Sequence, residues 1–202
     1  MITIIDLGIS NIKSITRGFV TQGFQVHITT DPDDVYAADS LVLPGVGAFP
    51  KAMELLNTKR LVEKIRKYAH SGRPLIGICL GMQLLFTGSD EHEKTEGLGL
   101  IPGHVTCFPL DRPVPHMGWN EVQIVKESIL FEGIPDRSDF YFVHSYYAEP
   151  DDISDIVGYS DHYGKFTAVV QKGYIFGTQF HPEKSQNLGL KLLNNFARLT
   201  ER

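Results

Sequence analysis

The pattern of hydrophobic residues changes near residue 87, so the chain has two parts with different patterns. In the first part, short apolar runs alternate with segments in which apolar residues recur every three or four positions. The runs are typical of buried strands, and the recurrence is typical of amphipathic helices. These patterns predict strands at 2–5, 25–29, 40–43 and 74–78, and helices at 12–20 and 52–68. Such alternation indicates βαβ units and a parallel sheet with helices on both faces.

Beyond residue 100 the chain consists mainly of short strand-like segments with short connections, which is typical of antiparallel pairing. Gly173 marks a tight hairpin between the last two of them. The predicted strands are 105–108, 121–125, 140–147, 153–159, 166–171 and 174–179, and the last helix is 188–199. No linker or repeat interrupts the sequence. We therefore expect one α/β domain over residues 1–202, with a mostly parallel central sheet and antiparallel additions in the C-terminal half.

The most distinctive stretch lies where the strand at 74–78 ends, at Cys79 between Gly77 and Gly81. A nucleophile on a sharp strand-to-helix turn between glycines is the arrangement of the G-x-S-x-G elbow, here with a thiol. The helix N-terminus favours a thiolate. We expect the apolar residues 84–86 to begin that helix. A buried structural cysteine is the alternative, because free cysteine is often found inside proteins.

A second candidate is His181-Pro182-Glu183. Pro182 favours an extended conformation for His181, and residues two apart in an extended segment point to the same side. Glu183 is then placed to accept a hydrogen bond from one ring nitrogen of His181. The other nitrogen is left for a thiol, as in the base and orienting acid of a triad. A surface turn with an incidental His and Glu is the alternative.

A third loop, Pro44-Gly45-Val46-Gly47, follows the strand at 40–43. Its two glycines allow backbone N–H groups to turn toward an anion, as an oxyanion hole requires. An ordinary turn is the alternative, since Pro-Gly is a common turn signal. No Gly-Lys-Ser/Thr follows, which argues against a triphosphate-binding loop. Sites in open α/β sheets form beyond the carboxyl ends of the strands, where all three loops are expected.

Composition narrows the classes of function. The formal net charge is −5 and no basic tract occurs, so nucleic acid is not an expected partner. The two cysteines do not form the pattern of a secreted scaffold, and Cys107 is expected to be inert in the core. The other histidines are scattered without metal-ligand spacing, so we expect no metal and no cofactor. With no signal-peptide pattern and no membrane-spanning apolar run, we expect a cytoplasmic protein with no membrane partner.

Taken together, these motifs resemble the class I glutamine amidotransferases of the Cys-His-Glu type, from Asp6-Leu7-Gly8 to the last helix. Residues 44–49, 115–120 (P-H-M-G-W-N) and 181–185 resemble, more narrowly, the glutaminase subunits of imidazole glycerol phosphate synthases, which serve histidine biosynthesis. The resemblance implies a flavodoxin-like class I amidotransferase fold. It also implies hydrolysis of L-glutamine to glutamate and ammonia through a thioester on Cys79, with His181 and Glu183 as the other catalytic residues.

The same resemblance implies roles for further residues. The oxyanion would be stabilised by the Leu80 N–H group and by one donor from the loop Gly45, Val46 and Gly47. Independently of the resemblance, the two glycines would let the Val46 peptide flip, so that this donor is withheld until a partner binds and turns the peptide over. Glutamine would be bound by Gly47, Gln83, Glu91, Ser145 and Tyr146.

A separate cyclase subunit is the implied partner, in a heterodimer that passes ammonia to it, because no synthase domain is attached. The residues implied to face this partner or the ammonia path are Asn11, His116, Trp119, Tyr141 and Lys184. For Trp119 a core position is the alternative. One departure from many relatives is Ser10, which stands in place of a glycine.

Three other functions stay open. The first is another subunit of the same class, such as the glutaminase of pyridoxal phosphate synthase or of GMP synthase, against which residues 115–120 argue. The second is a non-enzymatic module on the same scaffold, which would be expected to have a broken triad. The third is a cysteine peptidase of related fold, which would be expected to lack Gln83 and the paired-glycine loop.

Overall fold

A computed structural model describes residues 1–109 and 113–201 of the chain. The α-helices in this part of the chain are α1 (Ile12–Val20), α2 (Pro32–Ala37), α3 (Phe49–Thr58), α4 (Val62–His70), α5 (Leu80–Leu84) and α6 (Gln186–Ala197). Short 3₁₀ helices span Ile129–Phe131, Ile153–Asp155, Pro182–Lys184 and Arg198–Glu201. None of the helices in the described ranges is long and apolar enough to cross a membrane.

The strands form two sheets. They are β1 (Ile2–Ile5), β2 (Val26–Thr29), β3 (Ser40–Gly45), β4 (Leu75–Cys79), β5 (Phe86–Ser89), β6 (Thr95–Glu96), β7 (Ile101–Cys107), β8 (His116–Ile124), β9 (Ser138–His144), β10 (Tyr146–Pro150), β11 (Ile156–Asp161), β12 (Lys165–Lys172) and β13 (Ile175–Thr178). The larger sheet has the order β2-β1-β3-β4-β13-β12-β11-β8-β9, and the smaller has the order β10-β7-β5-β6.

In the larger sheet, the five neighbouring strands β2, β1, β3, β4 and β13 are parallel to one another. The remaining neighbours in the sheet order, from β13 through β12, β11 and β8 to β9, pair antiparallel. The predicted α/β class, with a parallel sheet and antiparallel additions from the C-terminal half, is therefore confirmed. The antiparallel part is nearly as extensive as the parallel part, so the sheet is best described as mixed.

The parallel strands are apolar on both faces because both faces are covered by other elements. In β3, Leu41 and Leu43 pack in one core cluster with α3 and α4, whereas Val42 packs in another with α1 and α6. All of β3 is buried. Burying one such aliphatic side chain contributes about 1.5–3 kcal/mol relative to leaving it exposed. The two-sided burial explains why these strands appear in the sequence as continuous apolar runs.

Two predicted helices were wrong in their extent. The single helix predicted at 52–68 is divided into α3 and α4, because Arg60 has a φ of 58°, which a right-handed helix does not allow. The helix expected to begin at 84–86 is instead α5, which ends at Leu84 and is followed by β5. The carbonyls of Leu84 and Leu85 accept hydrogen bonds from the N–H groups of Leu98 and Leu100, each at 2.8 Å, so they cannot continue the helix.

The C-terminal half differs from its prediction in one respect that shapes the site. The strand predicted at 140–147 is two strands, β9 and β10, because the chain leaves the large sheet at Ser145 and joins the small one. The predicted hairpin at Gly173 is confirmed: this glycine has a φ of 59° between the antiparallel strands β12 and β13.

Three neighbouring parallel strands bring the predicted loops together. The carboxyl end of β3 pairs with that of β4, where Gly45 lies opposite Cys79. On the other side of β4, Thr178 of β13 lies opposite Ile78. The loops that follow these strands therefore meet at one edge of the sheet, which is where ligand sites form in open α/β folds.

Candidate active site

Cys79 sits at a strained elbow between β4 and α5. Its φ of 55° is in the left-handed region, which costs about 1–3 kcal/mol for a non-glycine residue and persists only when the surroundings enforce it. Here the backbone packs closely. A Cβ on Gly81 would lie 1.7 Å from the Leu43 carbonyl oxygen, and one on Gly77 would lie 2.5 Å from the Gly81 oxygen. The predicted strand, turn and helix at this cysteine are thus present, and the two glycines make them possible.

His181 and Glu183 form a buried pair beside this elbow. The distance from Nδ1 of His181 to Oε1 of Glu183 is 2.8 Å, and the two side chains are only 3% and 1% exposed. The His181 N–H donates to the Tyr141 carbonyl at 2.9 Å. Ser185 Oγ donates to the His181 carbonyl at 2.7 Å. The backbone of this segment is therefore fixed on both sides, and the contact expected from the two-residue spacing exists.

The electrostatics of His181 favour its charged form. Burial lowers the pKa of His181, but the charge of the nearby Cys79 and the hydrogen bond and charge of Glu183 outweigh this effect and raise the pKa to about 10. Its Nε2 atom makes no hydrogen bond within residues 1–109 and 113–201. The imidazole is therefore a cation at neutral pH whose second nitrogen is available to the thiol or to a leaving group.

A cavity of about 310 Å³ opens onto Cys79. All of the residues predicted to bind glutamine line it, together with Leu80 and Val46: they are Gly47, Gln83, Glu91, Ser145 and Tyr146. Glu91 also has a structural contact, because its Oε2 accepts the Phe49 N–H at 2.7 Å and so caps the start of α3. The sequence segments that supply this lining are far apart in the chain.

Gln179 is a site residue that the sequence analysis did not identify. Its side chain is fully buried, and its Nε2 donates to Cys79 Sγ at 3.7 Å. Its Oε1 accepts from Gln83 Nε2 at 3.1 Å. Gln179 lies two positions before His181, and the rule that residues two apart share a side in an extended segment places the two on one side, but its contact with Cys79 has no local signal.

The sequence also matches a known protein family whose chemistry agrees with this geometry. Residues 3–199 match the family model described as glutamine amidotransferase class-I. The chain belongs to the class I glutamine amidotransferase family. The predicted family, fold and enzyme class are therefore confirmed.

Individual relatives of this amidotransferase are similar over nearly their whole length. The imidazole glycerol phosphate synthase subunit HisH of Syntrophotalea carbinolica is 46% identical, over 97% of this chain and 98% of that protein. The HisH protein of Moorella thermoacetica is 47% identical, over 98% and 94%. Among solved structures, a glutamine amidotransferase has a TM-score of 0.75 at 16% identity, covering 100% of this chain and 99% of that one. At such an identity the structural match concerns the fold alone.

In the loop predicted to supply an oxyanion donor, residues 44–47, the Val46 N–H is bonded to another segment of the chain. The Val46 N–H donates to the Ile9 carbonyl at 3.1 Å, and Ser10 Oγ donates to the Pro44 carbonyl at 3.2 Å. The Val46 donor is therefore engaged elsewhere, whereas the Leu80 N–H stands at the start of α5, where no intrahelical acceptor exists. Gly47 has a φ of 101°, a conformation that favours glycine.

Three of the residues expected to face a partner lie together at the amidotransferase surface, where Trp119 and Lys184 are exposed and Tyr141 is half-buried. Trp119 is 48% exposed, which shows that the core alternative for this residue is wrong. Its ring centroid lies 6.1 Å from that of Tyr141, and Lys184 Nζ lies 5.6 Å from the Tyr141 centroid. Asn11 is also exposed and caps α1 by accepting the Ser14 N–H at 3.3 Å.

One expectation differs from the structure, and another stays a prediction. His116, expected to face the partner or the ammonia path, has a buried side chain with its ring stacked on His162 at a centroid distance of 4.3 Å, so its place on the ammonia path stays a prediction. The histidines are thus less scattered than their sequence positions indicate, although no group able to hold a metal ion occurs among the described residues. Cys107, expected in the core, is only half-buried, because it lies on β7 opposite Tyr146 near the cavity.

Proposed function

We propose that this chain is the glutaminase subunit of an imidazole glycerol phosphate synthase. It hydrolyses L-glutamine to glutamate and ammonia and passes the ammonia to a separate cyclase subunit in histidine biosynthesis. The observation that carries the chemistry is the His181–Glu183 pair, buried beside the strained Cys79 elbow. The relatives named for this subunit, at 46% and 47% identity over nearly full length, support the pathway.

In the first step, the Cys79 sulfur attacks the side-chain amide carbon of glutamine. A C–S bond forms, the C–N bond breaks, and the His181 imidazolium gives its Nε2 proton to the leaving nitrogen, which departs as ammonia. The raised pKa of His181 supports this role, because the acid is present at neutral pH. The Gln179 amide, which donates to the sulfur, helps to keep the nucleophile in position.

In the second step, His181 is neutral and takes a proton from water. The resulting hydroxide attacks the γ-glutamyl thioester, the C–S bond breaks, and glutamate leaves with the new C–O bond. The regenerated imidazolium is stabilised by Glu183, whose Oε1 accepts the Nδ1–H at 2.8 Å. Both steps use the same three side chains, so no other acid or base is required.

The tetrahedral oxyanion needs two donors. Leu80 N–H supplies one, and the Gly45–Gly47 loop supplies the other after a flip of the Val46 peptide. The hydrogen bond from Val46 N–H to the Ile9 carbonyl supports a resting state in which this donor is withheld. Loss of one oxyanion donor typically removes about 2.7–4 kcal/mol of transition-state stabilisation, so the loop would restrain glutamine hydrolysis until the cyclase subunit binds.

The surface formed by Trp119, Tyr141 and Lys184, together with Asn11, is the proposed contact with the cyclase subunit in a heterodimer. An exposed tryptophan beside a tyrosine is the composition typical of interface anchors. A biosynthetic role of this kind places the protein in the cytoplasm, which is also part of the proposal.

The test is glutamate release from L-glutamine by the full chain alone, with the cyclase partner, and with both that partner and its nucleotide ligand. We expect a stimulation of roughly 10²- to 10³-fold in the complete mixture, which corresponds to one recovered oxyanion donor. High activity of the isolated chain would contradict the withheld donor. Absence of glutamate release in all three mixtures would contradict the glutaminase function itself.

A further inference from the structure

A continuous line of hydrogen bonds connects strand β8 with the glutamine cavity. Asn120 Nδ2 lies 3.1 Å from His116 Nε2. His116 Nδ1 lies 3.1 Å from His144 Nε2. His144 Nδ1 lies 2.8 Å from the carbonyl oxygen of Tyr146, which lines the cavity. The line thus crosses from β8 to β9 and ends on the substrate side of the chain.

Only one arrangement of protons satisfies this line. A carbonyl oxygen accepts, so His144 Nδ1 carries the hydrogen and its Nε2 is an acceptor. His116 must then donate from Nδ1, which leaves its Nε2 to accept from the Asn120 amide. The orientation of that amide is fixed, since its Oδ1 accepts the Glu121 N–H at 2.9 Å and its nitrogen also donates to the Asp161 carbonyl at 2.7 Å.

The line continues beyond Tyr146 to the nucleophile. The Tyr146 carbonyl accepts a second hydrogen bond from Gln83 Nε2 at 2.9 Å. The other hydrogen of that amide is directed to Gln179 Oε1 at 3.1 Å, and Gln179 donates to Cys79 Sγ at 3.7 Å. Both nitrogen-bound hydrogens of Gln83 are therefore committed, and the position of its side chain depends on the Tyr146 carbonyl.

The surroundings of the two histidines are apolar and nearly dry. His116 and His144 are only 5% and 7% exposed. Phe108, Phe142 and Phe166 pack around both rings. Burial lowers the pKa of His116 to about 4 and that of His144 to about 3. Both rings are therefore neutral at neutral pH, as the single proton arrangement requires.

We propose that His116 and His144 are positioning residues for the glutamine pocket, acting as a pair of neutral Nδ1–H tautomers that hold the Tyr146 carbonyl and, through it, the Gln83 amide. This inference rests on the proposed glutaminase function. His144 itself lines the cavity, but its ring nitrogens bond to His116 and to the Tyr146 carbonyl, so each ring acts through the next group in the line. Because Asn120 directly follows the exposed Trp119, the line also joins the proposed partner surface to the pocket.

The tautomers are tested directly by long-range ¹H–¹⁵N spectra of the full chain labelled with ¹⁵N-histidine, near pH 7.5. Signals are assigned by their loss in His116→Leu and His144→Leu. We expect both rings to be neutral and protonated on Nδ1. A proton on Nε2, or a charged ring, in either residue would overturn the proposal. This measurement does not depend on glutamine turnover, so it stands even if the glutaminase function fails.

The positioning role is tested by glutaminase kinetics in the presence of the cyclase subunit. We expect His144→Leu to raise KM for glutamine about tenfold, because a buried carbonyl loses a donor, while kcat changes less than about threefold. His144→Asn keeps an N–H near the position of Nδ1 and should recover most of the loss. A fall in kcat with unchanged KM, or the same KM in both variants, would overturn the proposal.

The matched control is His162→Phe. His162 stacks on His116 but lies outside the line, and its Nε2 contacts the Pro113 carbonyl at 2.7 Å. Phenylalanine preserves the stacked ring, so we expect KM to stay within about twofold of the wild-type value. An increase in KM equal to that of His144→Leu would show that aromatic packing, and not the hydrogen-bond line, orders the pocket.

Discussion

The imidazole of His181 lies between two acidic side chains, and its charge follows from both. Without Cys79 and Glu183, burial alone would lower the pKa of this ring, whereas with them the pKa is raised to about 10. Removing the carboxylate should therefore move the pKa of His181 down, toward neutral pH. The imidazolium would then be a smaller fraction of the population in the pH range where it must act as an acid.

Glu183→Gln is the variant that tests this balance. We expect a lower pKa for His181 by NMR titration and a fall in kcat of roughly 10²- to 10⁴-fold, since the ring loses both its charge partner and its orienting acceptor. Glu54→Gln, on the exposed face of α3, is the control and should change neither quantity. An unchanged titration of His181 in Glu183→Gln would contradict the electrostatic description.

Contacts that depend on local spacing were predictable from the residues themselves, whereas contacts between distant segments were not. The contact of His181 with Glu183 follows from a separation of two residues. Gln179 meets the Cys79 sulfur across 100 residues of sequence. His116 meets His144 across 28. Such contacts are set by the sheet order, which the hydrophobic pattern does not specify.

Among the secondary-structure elements, the elbow between β4 and α5 depends most on the absence of side chains. We expect Gly81→Ala to destabilise the fold by roughly 3 kcal/mol or more, at or above the upper end of overpacking effects. Its Cβ would meet the carbonyl oxygen of Leu43, which is fixed in β3. Urea unfolding measures the loss, and glutaminase activity should fall with it.

Gly177→Ala is the matched comparison in the neighbouring strand β13. The Cβ there would meet side-chain atoms, Met82 Cγ at 2.7 Å and Val170 Cγ2 at 2.9 Å. Side chains adjust more readily than a paired backbone, so we expect a smaller loss of about 1–2 kcal/mol. Equal destabilisation in the two variants would show that the backbone approach at Gly81 is not the limiting constraint.

The elements with a clear period were predicted closely, and one of the errors shows what a local pattern misses. The strand at 2–5 and the helix at 12–20 match β1 and α1 in both bounds. The helix expected from 84–86 failed because the N–H groups of Leu98 and Leu100 bind the carbonyls of Leu84 and Leu85. A hydrogen-bond partner from a distant segment can therefore end a helix that the local apolar spacing predicts, and the local sequence gives no sign of that partner.

For the whole molecule, the two buried histidines lead us to expect a loss of stability as the pH falls below about 6.5. In the unfolded chain they titrate near 6.5, whereas in the folded protein burial lowers their pKa to about 4 and about 3. Their stabilising effect is present above pH 6.5 and is lost as the pH falls toward those values. Between these limits each contributes a slope of at most about 1.4 kcal/mol per pH unit.

The slope is measured by urea unfolding between pH 7 and pH 5. We expect a clear decrease in the free energy of unfolding of the wild-type chain and a shallower decrease in His144→Phe. Tyr174→Phe, which changes an exposed side chain, should keep the wild-type slope. A wild-type slope in His144→Phe as well would mean that this histidine is protonated in the folded protein.

At the same scale, the family resemblance predicted the overall fold, and the apolar pattern predicted its α/β class. Neither specified that β13 enters the sheet between β4 and β12, which is the placement that brings His181 to the elbow. That pairing joins segments 100 residues apart, with Ile175 opposite Leu75. The geometry of the site therefore depends on the strand order of the whole sheet, although its most distinctive residues can be recognised within single sequence segments.

The most direct measurement is mass spectrometry of the chain, acid-quenched during turnover of L-glutamine with the cyclase subunit present. The account predicts one γ-glutamyl group on the peptide that contains Cys79, with no adduct and no glutamate release in Cys79→Ala. Cys107→Ala should keep both the adduct and the activity. Glutamate release that survives in Cys79→Ala, or an adduct on Cys107 alone, would contradict the assignment of Cys79 as the nucleophile.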